Sequence, residues 1–302
     1  MTTTYDPFHP RYLVLDDLRE EMNRVYDLCH GCRLCFKFCP SFPTLFAAID
    51  AHEDQDAAKI TDAEAFQVVD ECFNCKLCGD VNCPYTPGKH EWALDFPRLM
   101  LRAKAFQQED GRKDARSRVT DKALAKTDLT GTVNSGVAAP IVNKALGQPG
   151  SKLRSVMEKV TGIHKDRILP PYARVRFSTW FKKHTPRVRN PKQGEVAIFP
   201  TCLVEYTDTQ VGRDLVGVYE RNGVSCSLPE GMRCCGAPAL HQGDLPQFRK
   251  EAAHNVKVLA DAVREAQSRG RDLTIVVPEP TCGYVLKKDY PDYLGTPDAE
   301  LV

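Results

Sequence analysis

Two short runs of four cysteines repeat the same spacing in the first hundred residues of the chain. The first run lies within residues 29–40 and is CHGCRLCFKFCP, and the second lies within residues 72–84 and is CFNCKLCGDVNCP. Each run is Cys-x-x-Cys-x-x-Cys, followed by a fourth cysteine and a proline, with three intervening residues in the first run and four in the second. Two-residue gaps let a tight turn direct three sulfurs at one small bound group. The repeat therefore predicts two bound groups of this kind.

This spacing is that of the ferredoxin-type runs that bind two 4Fe–4S clusters, in which the fourth cysteine of each run binds the cluster of the other run. The two predicted ligand sets are Cys29, Cys32, Cys35 and Cys83 for one cluster, and Cys72, Cys75, Cys78 and Cys39 for the other. Structural zinc sites also use Cys-x-x-Cys pairs, so a zinc-stabilised interaction module without a redox role is an alternative. His30 lies inside the first run, but four cysteines already complete the set, so we expect it outside the ligands.

The rest of the composition sets the cellular context that we expect. The chain has 302 residues, which suggests two domains. No apolar run approaches the ~18 residues needed to span a bilayer, and the first residues do not resemble a secretion signal. We therefore expect a cytoplasmic protein, with a peripheral position at the inner face of the membrane as an alternative. In that setting the thirteen cysteines indicate metal ligands or redox groups rather than disulfides.

Periodicity and charge divide the chain into three parts. Residues 1–107 are predicted to form a helical ferredoxin-like domain, with helices over 11–27, after a Thr61–Glu64 capping box, and near 91–107. Residues 1–100 carry a net charge of −8, which is expected to disfavour reduction of the clusters. Residues 101–192 carry +14, and residues 193–302 carry −5. This asymmetry concerns partners rather than fold.

The basic part, residues 108–192, is predicted to be a partly helical linker or a segment that faces a partner or a membrane. Residues 151–163 have one apolar helical face. In the stretch 172–183, aromatic and basic residues alternate. That stretch either packs on this protein or a partner, or lies on an anionic membrane surface. No nucleic-acid partner is expected, because no binding motif is present and the cysteine-rich ends are acidic.

Residues 193–302 alternate between strand and helix patterns, which predicts an α/β domain with a parallel sheet. Strands are predicted at 195–200, 224–228 and 273–277, with helices at 208–222 and 245–269. Cysteines follow each strand, and the carboxyl ends of parallel strands meet at one edge of a sheet. We therefore expect four thiols to converge, those of Cys202, Cys234, Cys235 and Cys282. Cys226 lies within a strand and is expected to pack in the core.

The pattern Cys202, Cys234-Cys235-Gly236 and Cys282-Gly283 resembles the cysteine-rich CCG domain. That domain occurs in heterodisulfide reductases, in glycolate oxidase iron–sulfur subunits and in an iron–sulfur subunit of anaerobic glycerol-3-phosphate dehydrogenases. Residues 83–105 are also similar to the segment after the second cysteine run in the last of these. Two features depart from the family pattern: Glu279 stands where a Cys-x-x-Cys motif has its first cysteine, and the chain contains one CCG copy where relatives usually have two.

The resemblance implies an α+β multi-domain iron–sulfur subunit that takes electrons from a flavoprotein dehydrogenase and passes them to a quinone or another acceptor. The sequence has no glycine-rich nucleotide loop, so the flavin is expected on a separate subunit. A second interpretation is a catalytic thiol–disulfide reductase that uses the CCG cysteines. For those cysteines three possibilities stand: a further cluster, a redox pair at Cys234 and Cys235, or structural thiols with or without zinc.

Overall fold

In the computed structural model of the chain, the described residues are 5–112, 120–123, 125–188 and 194–302. Contacts divide the chain into two compact units. The first comprises Met1–Asp114 and Ala239–Leu245, and the second comprises Ala115–Pro238 and Pro246–Val302. The predicted domain boundary between residues 192 and 193 lies outside the described residues.

The first unit is helical, as the sequence predicts. Its helices are α1 (Leu15–Cys32), α2 (Ser41–Asp50), α3 (Asp62–Asp70) and α4 (Phe96–Glu109), with a 3₁₀ turn at Ala57–Lys59 and a π-helical turn at Cys78–Asn82. The capping box is confirmed, because the Glu64 N–H donates to Thr61 Oγ1 and the Thr61 N–H donates to Glu64 Oε2 at 2.7 Å. Helix α1 runs past its predicted end and includes the first two cysteines of the first run.

An aromatic core fills the space between these helices. Phe42 on α2 packs against Phe96 on α4, with ring centroids 4.8 Å apart, and Tyr26 on α1 packs against Phe96 at 6.3 Å. All three rings are buried. The Tyr26 hydroxyl donates to the Ala65 carbonyl of α3, so α3 is tied to the same core. Because the cysteine runs begin or end at these helices, the packing of the core determines the positions of the cysteine sulfur atoms.

The second unit is mostly helical and contains one small parallel sheet. Its strands are β1 (Glu195–Ile198), β2 (Ser225–Ser227) and β3 (Leu273–Val276), in the order β2–β1–β3, with Val196 opposite Cys226 and Thr274. The three predicted strands are confirmed, each shorter than predicted. Its helices are α5 (Thr127–Asn134), α6 (Ala139–Leu146), α7 (Lys152–Thr161), α8 (Phe177–Lys183), α9 (Cys202–Tyr206), α10 (Thr209–Arg221), α12 (Leu245–Ser268), α13 (Pro280–Tyr284), α14 (Tyr290–Leu294) and α15 (Pro297–Leu301), while most of α11 (Ala237–Gln242) belongs to the segment Ala239–Leu245 of the first unit.

The aromatic and basic stretch after Pro171 packs within the second unit. Phe177 on α8 is fully buried in a cluster with Ile198, Val204 and Val216, and Cys226 packs against this cluster. Arg176 donates to Ser135 Oγ at 2.8 Å and to the Thr132 carbonyl. The interpretation that this stretch packs on the protein is therefore confirmed for Phe177.

The apolar face predicted for residues 151–163 is present on α7, where none of the residues that the structure describes covers it. Leu153, Val156 and Val160 keep 49%, 58% and 64% of their surface exposed. Exposed apolar residues on one helix face suit contact with a partner or a lipid surface. In the described ranges, no helix combines the length and the apolar character that crossing a membrane requires.

Candidate metal centres

Four cysteines of the first unit surround one cavity of about 320 Å³, and they come from both runs. They are Cys29, Cys32, Cys35 and Cys83. Cys29 and Cys32 lie on the last turn of α1, which ends where Arg33 adopts a left-handed conformation and donates its N–H to the Cys29 carbonyl at 2.8 Å. That reversal sends the chain back so that Cys35 faces the same space. The lining is otherwise apolar and includes Phe42.

Four more cysteines surround a second cavity of about 300 Å³, again from both runs. They are Cys72, Cys75, Cys78 and Cys39. Cys72 follows α3 directly, and the loop after it contains Asn74 and Lys76 in left-handed conformations with φ of 52° and 64°.

Local structure places the fourth cysteine of each run beside the first three cysteines of the other run. The π-helical turn closes with the Cys83 N–H donating to the Cys78 carbonyl at 3.0 Å. After Cys39, helix α2 begins at Ser41, whose hydroxyl donates to the Val68 carbonyl of α3 at 2.9 Å. Ser41 therefore holds the end of the first run against the helix that leads to Cys72. Phe42, next in the chain, lines both cavities.

The donor set of each cavity fits a 4Fe–4S cluster. Burial raises the pKa of Cys29 and of Cys78, so these thiols remain protonated unless a cation compensates the thiolate. Amide groups already point at two sulfurs: Asn82 Nδ2 donates to Cys35 Sγ at 3.5 Å, and the Asn74 N–H donates to Cys72 Sγ at 3.4 Å. Such bonds are typical around cluster thiolates, where they tune the reduction potential.

A cluster and a single metal ion need different arrangements of sulfurs. Among the residues that the structure describes, no three side chains of His, Cys, Asp or Glu are grouped so that they could hold a metal ion. The thiolates of a cubane each bind a different iron, so they do not converge on one point as the ligands of a single ion do. His30 lies off the first cavity and pairs with Asp50, with 2.8 Å between Nε2 and Oδ1.

In the second unit the structure brings together the four cysteines of the CCG pattern. Cys202 is the first residue of α9, Cys234 and Cys235 precede α11, and Cys282 lies in α13. Their thiols form a chain of hydrogen-bond contacts, from Cys202 to Cys234, from Cys234 to Cys235, and from Cys235 to Cys282. The Cys202 and Cys235 thiols donate to the Cys234 sulfur and lower its pKa.

Backbone contacts hold the Cys234–Cys235 pair in place. The Cys234 N–H donates to Asp128 Oδ2 at 2.7 Å, Asn255 Nδ2 donates to the Cys234 carbonyl at 2.9 Å, and the Tyr290 hydroxyl donates to the Cys235 carbonyl at 3.0 Å. Gly236 then has φ of +86°, and a Cβ at this position would lie 2.8 Å from the Phe248 ring. Only glycine satisfies both conditions without a shift of the neighbouring helix.

Sequence reasoning did not find Asp128 and Tyr206, which contribute to this site. Asp128 lies on α5 in the basic part of the chain and also accepts a hydrogen bond from the Tyr206 hydroxyl at 3.1 Å. The sequence feature that could have drawn attention to Asp128 is its negative charge within a strongly basic segment. Glu279 caps α13 by accepting the Cys282 N–H at 3.0 Å and the Thr281 N–H at 3.3 Å.

Comparison with known protein families agrees with both cysteine patterns. Residues 21–84 match the family described as a 4Fe-4S dicluster domain, and residues 196–287 match the cysteine-rich domain named CCG. The chain therefore contains a 4Fe-4S dicluster domain and a CCG domain. Its cofactors are 4Fe–4S clusters, and its relatives include subunits of oxidoreductases.

Three relatives illustrate the range of this similarity. A subunit of the anaerobic glycerol-3-phosphate dehydrogenase of Escherichia coli strain K12 is 30% identical over 57% of this chain and 41% of its own length. A subunit of the fumarate reductase (CoM/CoB) of Methanothermobacter marburgensis is 26% identical over 74% of this chain and 43% of its own length. The lactate utilization protein A of Shouchella clausii is 40% identical over 22% of this chain and 28% of its own length.

The chain spans less than half the length of each of these curated relatives. No solved structure matches it.

Proposed function

We propose that this chain is the electron-transfer subunit of an oxidoreductase complex. The observation that carries the proposal is the pair of cavities in the first unit, each lined by four cysteines drawn from both runs. In this proposal Cys29, Cys32, Cys35 and Cys83 bind one 4Fe–4S cluster, and Cys72, Cys75, Cys78 and Cys39 bind the other. The clusters supply one-electron redox chemistry when bound.

The protein's own residues determine what that chemistry can do. The buried aromatic residues exclude water from the inner side of both cavities, and Phe42 lines both of them. Crossed ligation ties the two loops together, so both clusters are held on one rigid helical core. Hydrogen bonds from Asn82 and Asn74 to sulfur stabilise the thiolates and favour the reduced state.

The electron donor in this proposal is a flavoprotein dehydrogenase subunit, and the acceptor is a quinone or another oxidant. A separate flavin subunit is supported by the absence of a glycine-rich nucleotide loop in the sequence and by relatives whose names identify them as subunits. The positive charge of residues 101–192 and the exposed apolar face of α7 support contact with a partner or an anionic lipid surface.

Metal and electron counting tests the proposal. Anaerobically prepared protein is expected to contain about eight irons and as many acid-labile sulfides per chain, at four per cluster. Chemical reduction is expected to produce EPR signals from two interacting clusters, and an oxidised quinone analogue is expected to reoxidise them. A colourless protein filled with zinc would overturn the proposal and favour the interaction module.

A second candidate function is thiol–disulfide chemistry at Cys234 and Cys235, which the contact between their sulfurs favours. A disulfide between them would take up two electrons and two protons, break its S–S bond and give two thiols. The clusters would deliver the two electrons one at a time.

An anaerobic reductive titration separates this candidate from simple electron transfer. Two clusters accept about one electron each, and a redox-active pair adds about two more. Cys235→Ser is then expected to remove the additional two electrons, whereas Cys226→Ser, at a half-buried cysteine in β2, is expected to keep them. Wild-type protein that accepts only the electrons of its clusters would exclude the candidate, and iron in excess of eight would indicate a further cluster instead.

A further inference from the structure

The loop of residues 85–94 joins the second cysteine run to α4 and is held at the wall of the first cavity. The Leu94 N–H donates to the Tyr85 carbonyl at 2.8 Å, which closes the loop at its base. Both of these residues line the first cavity. The Trp92 carbonyl accepts from Arg24 Nη1 of α1 at 2.8 Å, while residues 87–89 are exposed. The loop therefore extends from the cavity to the surface of the first unit.

Three aromatic rings of this loop, those of Tyr85, His90 and Trp92, pack against one another and form an aromatic trio. The ring centroids are 4.9 Å apart for Tyr85 and Trp92, 5.2 Å for Tyr85 and His90, and 4.6 Å for His90 and Trp92. Trp92 keeps 40% of its surface exposed. At the inner end, the Tyr85 N–H donates to the sulfur of Cys83. Contacts therefore continue from a predicted cluster ligand to an exposed indole.

His90 provides a hydrogen-bond donor beside that indole. Its Nδ1 accepts the Trp92 N–H at 3.1 Å, and the His90 N–H donates to the Thr86 carbonyl at 3.1 Å. A neutral imidazole that accepts at one nitrogen carries its proton on the other, so Nε2 is the donor. Within the described part of the chain, no group accepts a hydrogen bond from this nitrogen. The backbone therefore fixes the ring with its donor available to a ligand.

The headgroup of a quinone matches this combination of groups. It is a flat ring that can stack on an indole, and its carbonyl oxygen accepts a hydrogen bond from a donor such as Nε2–H. A phosphate or a carboxylate would use the donor but would gain little from the aromatic rings. A quinone also needs a nearby source of electrons, and Tyr85 joins the trio to the wall of the first cavity.

We propose that Tyr85, His90 and Trp92 form the site at which a quinone takes electrons from this chain. The inference rests on the proposed function, because it gives a place to the acceptor that the function requires. In the reaction the quinone gains two electrons and two protons and becomes a hydroquinone. The two reduced clusters lose one electron each, and the protons come from the solvent at the surface of the trio. Trp92 supplies the stacking face, and His90 Nε2 holds one quinone oxygen.

Stopped-flow reoxidation of the reduced, cluster-loaded full chain by menadione, a soluble naphthoquinone, tests the inference. The rate is expected to saturate as the menadione concentration rises, because the quinone binds before it reacts. Trp92→Leu is expected to raise the half-saturating concentration about threefold to tenfold, since it removes the stacking face. His90→Phe keeps a ring but loses the donor, and a similar rise of about threefold to tenfold is expected. Trp92→Phe keeps an aromatic face and is expected to stay within about twofold of the wild type.

Two residues outside the trio provide matched controls in the same unit. Phe36 is an aromatic residue of the first cysteine run with 52% of its surface exposed, and His30 is a histidine that pairs with Asp50. Phe36→Leu and His30→Phe are each expected to change the half-saturating concentration by less than about twofold. Ferricyanide, an oxidant that needs no stacking face, is expected to reoxidise every variant at the wild-type rate. That measurement shows that the clusters of each variant are intact.

Two results would overturn the inference. One is a reoxidation rate that rises linearly with menadione up to its solubility limit, and the other is an equal shift in Trp92→Leu and Phe36→Leu. In either case about eight irons per chain and reoxidation by ferricyanide would leave the proposed function intact. A chain that binds no clusters would overturn both.

Discussion

Cys83→Ala is expected to remove the same cluster as Cys32→Ala, although Cys83 belongs to the second run of the sequence. The reason is the shared cavity, which Cys83 lines together with Cys29, Cys32 and Cys35. Each single variant is expected to lower the iron content from about eight to about four per chain, because a cubane that lacks one thiolate is lost as a unit. Iron and sulfide analysis after anaerobic purification measures the change.

Double variants distinguish crossed ligation from ligation within each run. Cys32→Ala with Cys83→Ala is expected to retain about four irons, because both changes affect one cluster. Cys75→Ala with Cys83→Ala is expected to lose nearly all iron, because the changes affect both clusters. If each run bound its own cluster, the Cys32→Ala, Cys83→Ala protein would lose nearly all iron. The Cys75→Ala, Cys83→Ala protein would then retain about four irons.

Cys226→Ala is the control for loss of a cysteine outside the sites, and it is expected to retain about eight irons. Circular dichroism of each variant shows whether the helices of the first unit persist. Equal iron content in the two double variants would contradict the crossed arrangement.

The spacing of cysteines carried most of the information about the first unit. Two-residue gaps required a tight turn whatever the rest of the fold, and the repeat indicated which sulfurs belong together. The extension of α1 through Cys32 was not predicted. The helix ends after Cys32, because Arg33 adopts a left-handed conformation. Glycine is the residue that usually marks such a helix end, so the sequence did not indicate where α1 stops.

Long-range contacts were beyond the reach of local patterns. Asp128 accepts a hydrogen bond from the Cys234 N–H across 106 positions of sequence, and neither residue's neighbours signal that meeting. The periodicity of residues 151–163 predicted an amphipathic helix correctly but could not show whether its apolar face is covered. The order of the strands in the sheet could not be predicted from the sequence either, because three similar strands of three or four residues are compatible with several orders.

Asp17→Ala is expected to destabilise the first unit by about 3–5 kcal/mol, because it leaves a buried guanidinium without its carboxylate. Asp17 on α1 and Arg102 on α4 are both fully buried, with 2.6 Å between Oδ1 and Nη2. Arg102 also donates to the Tyr12 carbonyl at 2.7 Å and to the Arg11 carbonyl at 2.9 Å. The pair therefore joins the N-terminal segment, α1 and α4, and it anchors the helix that carries Cys29 and Cys32.

Chemical unfolding of the cluster-loaded protein, followed by circular dichroism and by cluster absorbance, measures the loss. Asp261→Ala removes one partner of an exposed pair with Lys257 and is expected to cost less than about 1 kcal/mol. Arg102→Met is expected to cost about as much as Asp17→Ala, since it takes the buried partner from the Asp17 carboxylate, which then keeps the exposed Arg11, and the donor from two backbone carbonyls. The double variant should then lose less than the sum of the two single losses, because both single variants remove the same buried ion pair. Additive losses, or a loss below about 1 kcal/mol in Asp17→Ala, would show that α1 is held to α4 by the aromatic core and not by this ion pair.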